Sequence, residues 1–462
     1  MRPHFCLCII AFLLFSCGTQ KTSQQQKRFT PGNIAGVVSF LYDTLLVDRD
    51  TLIDHDITFF PGAFVETTQG ASVVFKERVQ VIGESQVFSN DVNIVFEKFS
   101  IGTLNPCWFG ARGNDVIDDS GAFVKTLQIA EGLYNSINIY IPTGEYLISQ
   151  PLIVESTTTT QKSINLIGEA MSASGVHGAS LHWVGTPGET MLTLRQNIFC
   201  RMENLDLSAD SDHPVRYNLE LKPVLYQLST TNCSFAGAAG PGSANVNINS
   251  GNNIQVSEIT FENCAFRGKT ALDGERLTDA AVVGGLANTK NFYFSHCSFG
   301  GYGKAAINIE VSDIIRVDNC TFSNDDVDII CLLCNLVATS NYSELSGAFF
   351  RATVSSNISY ATLIGNYFEG NKDDDYVIRD GAGSLVLINN NFGSYGGPDT
   401  VNLVKWDTSE VSHIYSYGNF FKNANNHTYP FVNRANNESH PKVTTEGDKV
   451  GINGPSSKEV KQ

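Results

Sequence analysis

Charge is scarce in this 462-residue chain and positive charge scarcer: charged residues are 17% of the total, and 31 Lys and Arg stand against 47 Asp and Glu, a formal net charge of −16. No block of Lys and Arg occurs, so the electrostatic footprint of a nucleic-acid binder is missing and DNA or RNA is not an expected partner. An anionic substrate would need a local basic patch or a bound cation. Beyond the N-terminus no stretch reaches 18 uninterrupted apolar residues, which removes a membrane-spanning helix from the rest of the chain. His177, His182, His213, His296 and His413 share no metal-ligand spacing. Disorder is excluded as well, because 42% of residues are hydrophobic and 10% aromatic. The length allows two to four ordinary domains or one elongated repeat domain.

The N-terminus reads as an export signal. Arg2 precedes an apolar run from Phe5 to Phe15, too short to span a bilayer as a helix, so residues 1–16 are set aside from the fold. Leu14-Phe15-Ser16-Cys17 resembles a bacterial lipobox, which implies acylation at Cys17, a polar tether over 17–29 and a lipid-anchored protein of the cell envelope. Eight cysteines remain after this segment: Cys107, Cys200, Cys233, Cys264, Cys297, Cys320, Cys331 and Cys334. Export permits disulfides, but the placement of these cysteines points elsewhere.

From about residue 200 one phrase returns: an alternating apolar strand, then Asn or Cys, one residue, Phe and a turn. Its instances end at Phe235, Phe266, Phe299, Phe322, Phe368, Phe392 and Phe421, at intervals of 31, 33, 23, 46, 24 and 29. Since 46 is twice 23, one rung near Glu344 has lost the phrase. Period-two strands, Gly and Asn turns and little helical pattern predict an all-β solenoid, a parallel β-helix. Equivalent residues then stack about 4.8 Å apart. Cys233, Cys264, Cys297, Cys320, Asn366, Asn390 and Asn419 form an inward ladder, with a Phe column beneath it. Stacked, parallel Cβ vectors suit free thiols better than disulfides. Cys331 and Cys334 are expected on opposite sides of a strand. Residues 30–104 read as further rungs or a capping layer, 105–433 as the coil, and 434–462 as a polar tail without strand periodicity.

A family resemblance rests on residues 105–153. Phe109, Gly110, Ala111, Gly113, Asp118 and Asp119, then Ile141, Pro142, Gly144 and Tyr146, resemble the N-terminal motif of the pectate-lyase-like superfamily. That resemblance implies a right-handed parallel β-helix with a short N-terminal capping helix. Asn114 and Asp115 depart from the motif at a turn. The helix itself is legible from Phe123, Leu127 and Ala130 at i, i+4 and i+7, with Asp119 or Ser120 as its cap, which makes Asp118 and Asp119 structural. The Gly-His-Gly and Arg-Ile-Lys motifs of polygalacturonases and the Arg-x-Pro-x-x-Arg-like segment of pectate lyases are absent, so the reaction is not inherited with the fold.

In polygalacturonase-like members the catalytic carboxylates lie where the strand after each turn begins. The matching stretches place Lys304, Asp325, Asp326, Glu344 and Asp374 as candidate catalytic groups, with Lys372, Arg379, Tyr376 and Trp406 as substrate contacts. Glu310, Asp328, Arg379 and Lys405 are expected on the outward side, and Tyr302, Tyr376, Tyr395 and Trp406 are expected to be exposed for stacking on sugars. Carboxylates one or two rungs apart match the spacing of retaining or inverting glycosidases. A lyase would use a basic residue and often calcium, for which Asp328, Asp373 and Asp375 supply oxygens. The expected function is cleavage of a polysaccharide, by hydrolysis or β-elimination, in a groove along residues 304–405 of a monomer. The alternative is a non-catalytic glycan-binding or surface-structural β-helix. A tailspike-like trimer is the third reading, disfavoured by the lipid anchor.

Overall fold

The computed structural model describes residues 39–462 except 69, 98, 134–135, 157–161, 172–177, 250–255, 285–288, 353–359, 370–376, 381–383, 394–403, 407–412, 423–430, 434–441, 452–456 and 460–462. Residues 1–38, which include the expected signal segment, Cys17 and the expected tether, lie outside the described residues, and no described helix is long and apolar enough to cross a membrane.

Three ladders of parallel strands make the coil. Face A holds strands such as Thr190–Arg195, Gly240–Ile248 and Thr278–Gly284; face B holds Asn197–Glu203, Val256–Glu262 and Thr289–Ser295; face C holds Leu205–Ala209, Ala265–Arg267 and Ser298–Gly300. Successive rungs pair in register on every face, for example Phe235 with Phe266 and Phe266 with Phe299. Two strands, Tyr302–Asp318 and Val327–Thr339, run unbroken through the corner from A to B.

The repeated phrase is a corner. Between faces B and C one residue per rung turns left-handed: Asn204, Asn232, Asn263, His296, Asn319, Ser340, Gly365, Asn389 and Gly418, with φ between 52° and 64°. Asn and Gly adopt this region at least cost, which explains their abundance there and gives His296 a structural role. Ser340 has no such tolerance. Ser340→Gly is therefore expected to raise stability by about 0.5–1 kcal/mol, read as a higher urea midpoint with unchanged slope.

The next residue in each rung points inward. Cys233, Cys264, Cys297 and Cys320 are buried free thiols. Beyond them the column turns to amides: Asn366 Oδ1 accepts from the backbone N–H and the Nδ2 of Asn341, both at 2.9 Å, and Asn390 and Asn419 repeat the pattern down to Asp448. The remaining amide proton of each goes to an interior carbonyl, such as Asn390 Nδ2 to Leu363 O at 2.8 Å. The side-chain amides of Asn341, Asn366, Asn390 and Asn419 are thus fully paired, which a parallel stack of identical amides achieves by translation alone. Beneath them Phe235, Phe266, Phe299 and Phe322 stack with centroids 4.8–5.1 Å apart. The rung that lost the phrase is Asn341-Tyr342-Ser343-Glu344: Ser343 stands between Phe322 and Phe368 in register, and Phe349 from the next strand fills the space against both rings.

Upstream, residues 39–96 form three short parallel sheets with returns of about 20 residues, packed around Phe59, Phe75, Phe88 and Phe96. Phe88 stacks on Phe109 of the main coil at 5.3 Å. Helix α1 (Ser120–Gly132) buries Phe123, Leu127 and Ala130 as its spacing predicts. Phe123 and Leu127 share a small apolar cavity with Leu152, Leu166 and Leu181 of the coil, while Lys125 and Ile129 line a larger, open groove with Ile94 and Phe96. Asp119 is the N-cap but makes no side-chain cap bond; its carboxylate instead accepts from Arg112 and Gly113 N–H at 2.8 and 3.1 Å. Asp118 takes the helix end, accepting from Ser120 N–H at 3.0 Å and from Ser149 Oγ at 2.7 Å. At the other end the buried Lys162 ammonium donates to Ala130 O at 2.9 Å and to Glu131 O and Leu133 O.

Two expectations need correction here. Cys331 and Cys334 do not face opposite sides: both are buried and hydrogen-bonded to each other, because alternation slips at Leu332 and Leu333, where the strand turns the A–B corner. The polar stretch after 433 also continues the coil. Lys442–Glu446 pairs with His413–Tyr417 and Lys449–Gly451 with Phe420–Lys422, since the ladder is carried by backbone bonds and by Asp448 standing in for Asn.

Candidate functional site

The short strands of face C leave two outward columns. One runs Glu145, Ser180, Asp206, Ser234, Ala265, Ser298, Thr321, Tyr342 and Tyr367; the other carries His182, Ser208, Arg267, Gly300, Ser323, Glu344 and Glu369. Apart from Arg267, small side chains fill the middle, and the acidic and aromatic ones gather at both ends.

At the C-terminal end Glu344 and Glu369 are in register on adjacent rungs. Tyr342 Oη donates to Glu344 Oε2 at 2.9 Å and reaches Glu369 Oε2 at 3.2 Å, so one phenol bridges both carboxylates. Ser323 Oγ lies 3.4 Å from Glu344 Oε1. The Tyr342 ring stacks on Tyr367 at 5.6 Å and 16°. Hydrogen bonding to Glu344, then burial and the charge of both glutamates, push the Tyr342 hydroxyl far above its ordinary range, and burial followed by Glu369 raises Tyr367. Both phenols therefore stay protonated donors. The arrangement offers two carboxylates about one strand spacing apart, near the roughly 5 Å of a retaining glycosidase, beside an aromatic pair able to stack on a sugar ring.

At the other end His182 Nδ1 lies 3.0 Å from Ser208 Oγ and 3.8 Å from Glu145 Oε1, and its Nε2 is 3.3 Å from Asp210 Oδ2. Asp206 accepts from the Ser234 and Ser180 hydroxyls. Among the described residues no group of three or more His, Cys, Asp or Glu is arranged to hold a metal.

The sequence candidates scatter. Lys304 is exposed on face A, away from the face that carries Glu344. Asp326 is exposed at the C–A corner, its N–H donating to Tyr302 O at 2.9 Å. Glu344 ends a face C strand (Tyr342–Glu344) instead of starting a face A one. Asp325 and Asp328 are fully buried, so neither lines a surface groove, and the expectation of Asp328 as an outward calcium ligand is corrected. Asp325 Oδ1 accepts from Tyr302 N–H at 2.9 Å, and Ser343 Oγ donates to Asp328 Oδ2. Ser343, where neighbouring rungs carry Phe, thus meets a buried carboxyl with its hydroxyl. Tyr302 is buried too, its hydroxyl donating to Asn245 Oδ1 at 2.5 Å, while Glu310 is exposed as expected. Lys372, Asp373, Asp374, Asp375, Tyr376 and Tyr395 lie outside the described residues. Arg379 and Trp406 sit on described face A strands, Ile378–Asp380 and Val404–Trp406, without a described side chain.

Tyr342, Tyr367 and Glu369 escaped the sequence reading. Their signal was present: Asn-Tyr-Ser-Glu at 341–344 and Asn-Tyr-Phe-Glu at 366–369 are the same phrase one rung apart.

No family model matches the chain. It is 21% identical over 299 residues to the pre-neck appendage protein of Bacillus phage phi29, a match covering 63% of this chain and 30% of that protein. The preneck appendage protein of Bacillus phage PZA is similar at 23% over 296 residues, again 63% and 30%. The chain thus spans about three tenths of the length of the curated relatives it matches. Among solved structures the gp42 tailspike of Acinetobacter phage vb_AbaP_AS12 aligns with TM-score 0.50 at 10% identity, over 76% of this chain and 62% of the tailspike, a likeness of fold alone. The fold the chain shares with it is a predominantly parallel β solenoid.

Proposed function

We propose that this protein is a right-handed, pectate-lyase-like β-helix, closed at its N-terminal end by α1, that binds a polysaccharide along face C and hydrolyses it at Glu344 and Glu369. The observation that carries the reading is the Tyr342 phenol bridging two carboxylates on neighbouring rungs, beside its stack on Tyr367. Two such carboxylates flanking a glycosidic bond supply a general acid and a nucleophile, and their one-rung separation favours retention of anomeric configuration. The bridging phenol holds both in place until substrate displaces it. The lipobox-like residues before Cys17 support a lipid-anchored, envelope location for a monomer, and no calcium enters the proposed step.

The non-catalytic alternative has its own support in the small-residue floor between the two ends of face C, which holds a chain without acting on it. Purified protein incubated with a polysaccharide panel separates the two readings. Hydrolysis yields new reducing ends without absorbance from unsaturated uronides, and it survives EDTA. Retention on an affinity gel with no product from any polymer would overturn catalysis and leave binding.

A further inference from the structure

We infer that the glycan taken by face C carries no net negative charge: it is a neutral or amino-sugar-containing polymer and not a uronic or sulfated one. This rests on the reading of face C as the glycan-binding surface and adds the substrate class to it.

The inference comes from what stands outward along one continuous strip. Between the rungs of Glu145 and Glu369 the outward columns carry Glu145, Asp206, Glu344 and Glu369, and Asp210 stands at the margin beside His182. Among the described outward positions of that span the one Lys or Arg is Arg267. The acids sit at both ends, with Asp206 and Glu344 five rungs or about 24 Å apart, so a linear chain lying the length of the strip meets negative charge at each end. The floor between, Ser234, Ala265, Ser298 and Thr321, is built of small side chains, with Arg267 beside Ala265, and admits close approach of a polymer backbone.

 Gly300 and Ser323 complete that floor in the second column. The acids at both ends repel a polyanion that spans the strip, with Arg267 the one opposing charge, and the chain's overall charge of −16 adds to the effect at long range. A neutral sugar loses nothing there: carboxylates accept from its hydroxyls, and Tyr342 and Tyr367 stack on its rings. An ammonium group gains an ion pair.

The test is retention and affinity of the whole purified protein on galactan, partially N-acetylated chitosan, polygalacturonate and chondroitin sulfate, at low salt in EDTA. The expected result is binding to galactan or chitosan at least tenfold tighter than to either anionic polymer. Neutralising the strip by combining Glu145→Gln, Asp206→Asn, Glu344→Gln and Glu369→Gln should then raise the affinity for polygalacturonate at least tenfold. Equal or tighter binding of an anionic polymer by the wild type would overturn the charge inference while keeping face C as a glycan site. Retention of none of the four polymers would instead overturn the glycan reading on which it rests.

Discussion

Glu344→Gln is expected to lower turnover of the cleaved polysaccharide by about 10²- to 10⁴-fold, the range that a positioned acid, base or nucleophile supplies, with retention on the immobilised polymer kept. Gln preserves the shape and the acceptor that Tyr342 Oη contacts at 2.9 Å, so the stack on Tyr367 and the rung geometry survive. What is lost is a group able to ionise or give up a proton in the transition state, which appears in kcat and not in binding. Glu369→Gln should behave alike, because the proposed hydrolysis makes the two carboxylates partners in one step. Tyr342→Phe keeps the ring and removes the bridge, so it should cost less turnover than either glutamine. Initial rates of reducing-end release, with affinity measured on the same preparations, check all three. Undiminished turnover in both glutamine variants would remove the pair from the chemistry, and loss of polymer retention in Glu344→Gln would make its role one of binding.

The solenoid was legible because its corner is chemically demanding. A left-handed residue is needed once per rung, and Asn232, Asn263, Asn319, Asn389, Gly365 and Gly418 announce it; a buried Cys or Asn and a Phe follow at fixed offsets. Even the interrupted rung could be counted from the doubled interval, although its substitutes, Asn341 in the ladder and Phe349 in the aromatic stack, could not, since Phe349 arrives from a different strand. Side-chain direction was the part that failed. Alternation assigns inside and outside only within a straight strand, and Asp325, Asp328, Cys331 and Cys334 all lie at or beside corners. There one extra residue reverses the facing of everything after it, as a register slip does. Glu344 was expected at the start of a face A strand but closes a face C one, and Glu369 stands beside it through the register that stacks Tyr342 on Tyr367, not through proximity in sequence.

The buried carboxyls give the second large effect, on stability. Asp325 and Asp328 are both fully buried in the coil, each with one oxygen lacking a hydrogen-bond partner. Burial raises both, most strongly, and the charge of Asp328 raises Asp325 further; Arg276, whose guanidinium donates to Tyr302 O at 3.3 Å, acts in the opposite direction on Asp325. Asp328 is pushed up to about 7. Two like charges in one dry site cannot both be kept, so the pair holds a proton that the unfolded chain releases near pH 4. The folded form then binds more protons than the unfolded one from about pH 4 upward, and stability falls with rising pH through Asp328's value of about 7 and further as Asp325 gives up its proton, with the full benefit present only below about pH 4. The loss is on the order of 1–4 kcal/mol. Asp328→Asn puts a permanent N–H where the shared proton sits and keeps an oxygen for the Ser343 hydroxyl. The variant should therefore match the wild type near pH 4 and exceed its midpoint of thermal unfolding by several degrees at pH 8. Asp326→Asn, at an exposed neighbour, should leave the wild-type pH profile in place. Thermal unfolding of the three proteins from pH 4 to 8.5 decides the matter through the difference between the curves, because every other titrating group is common to them. Parallel curves for Asp328→Asn and wild type would mean that no proton is shared inside the coil.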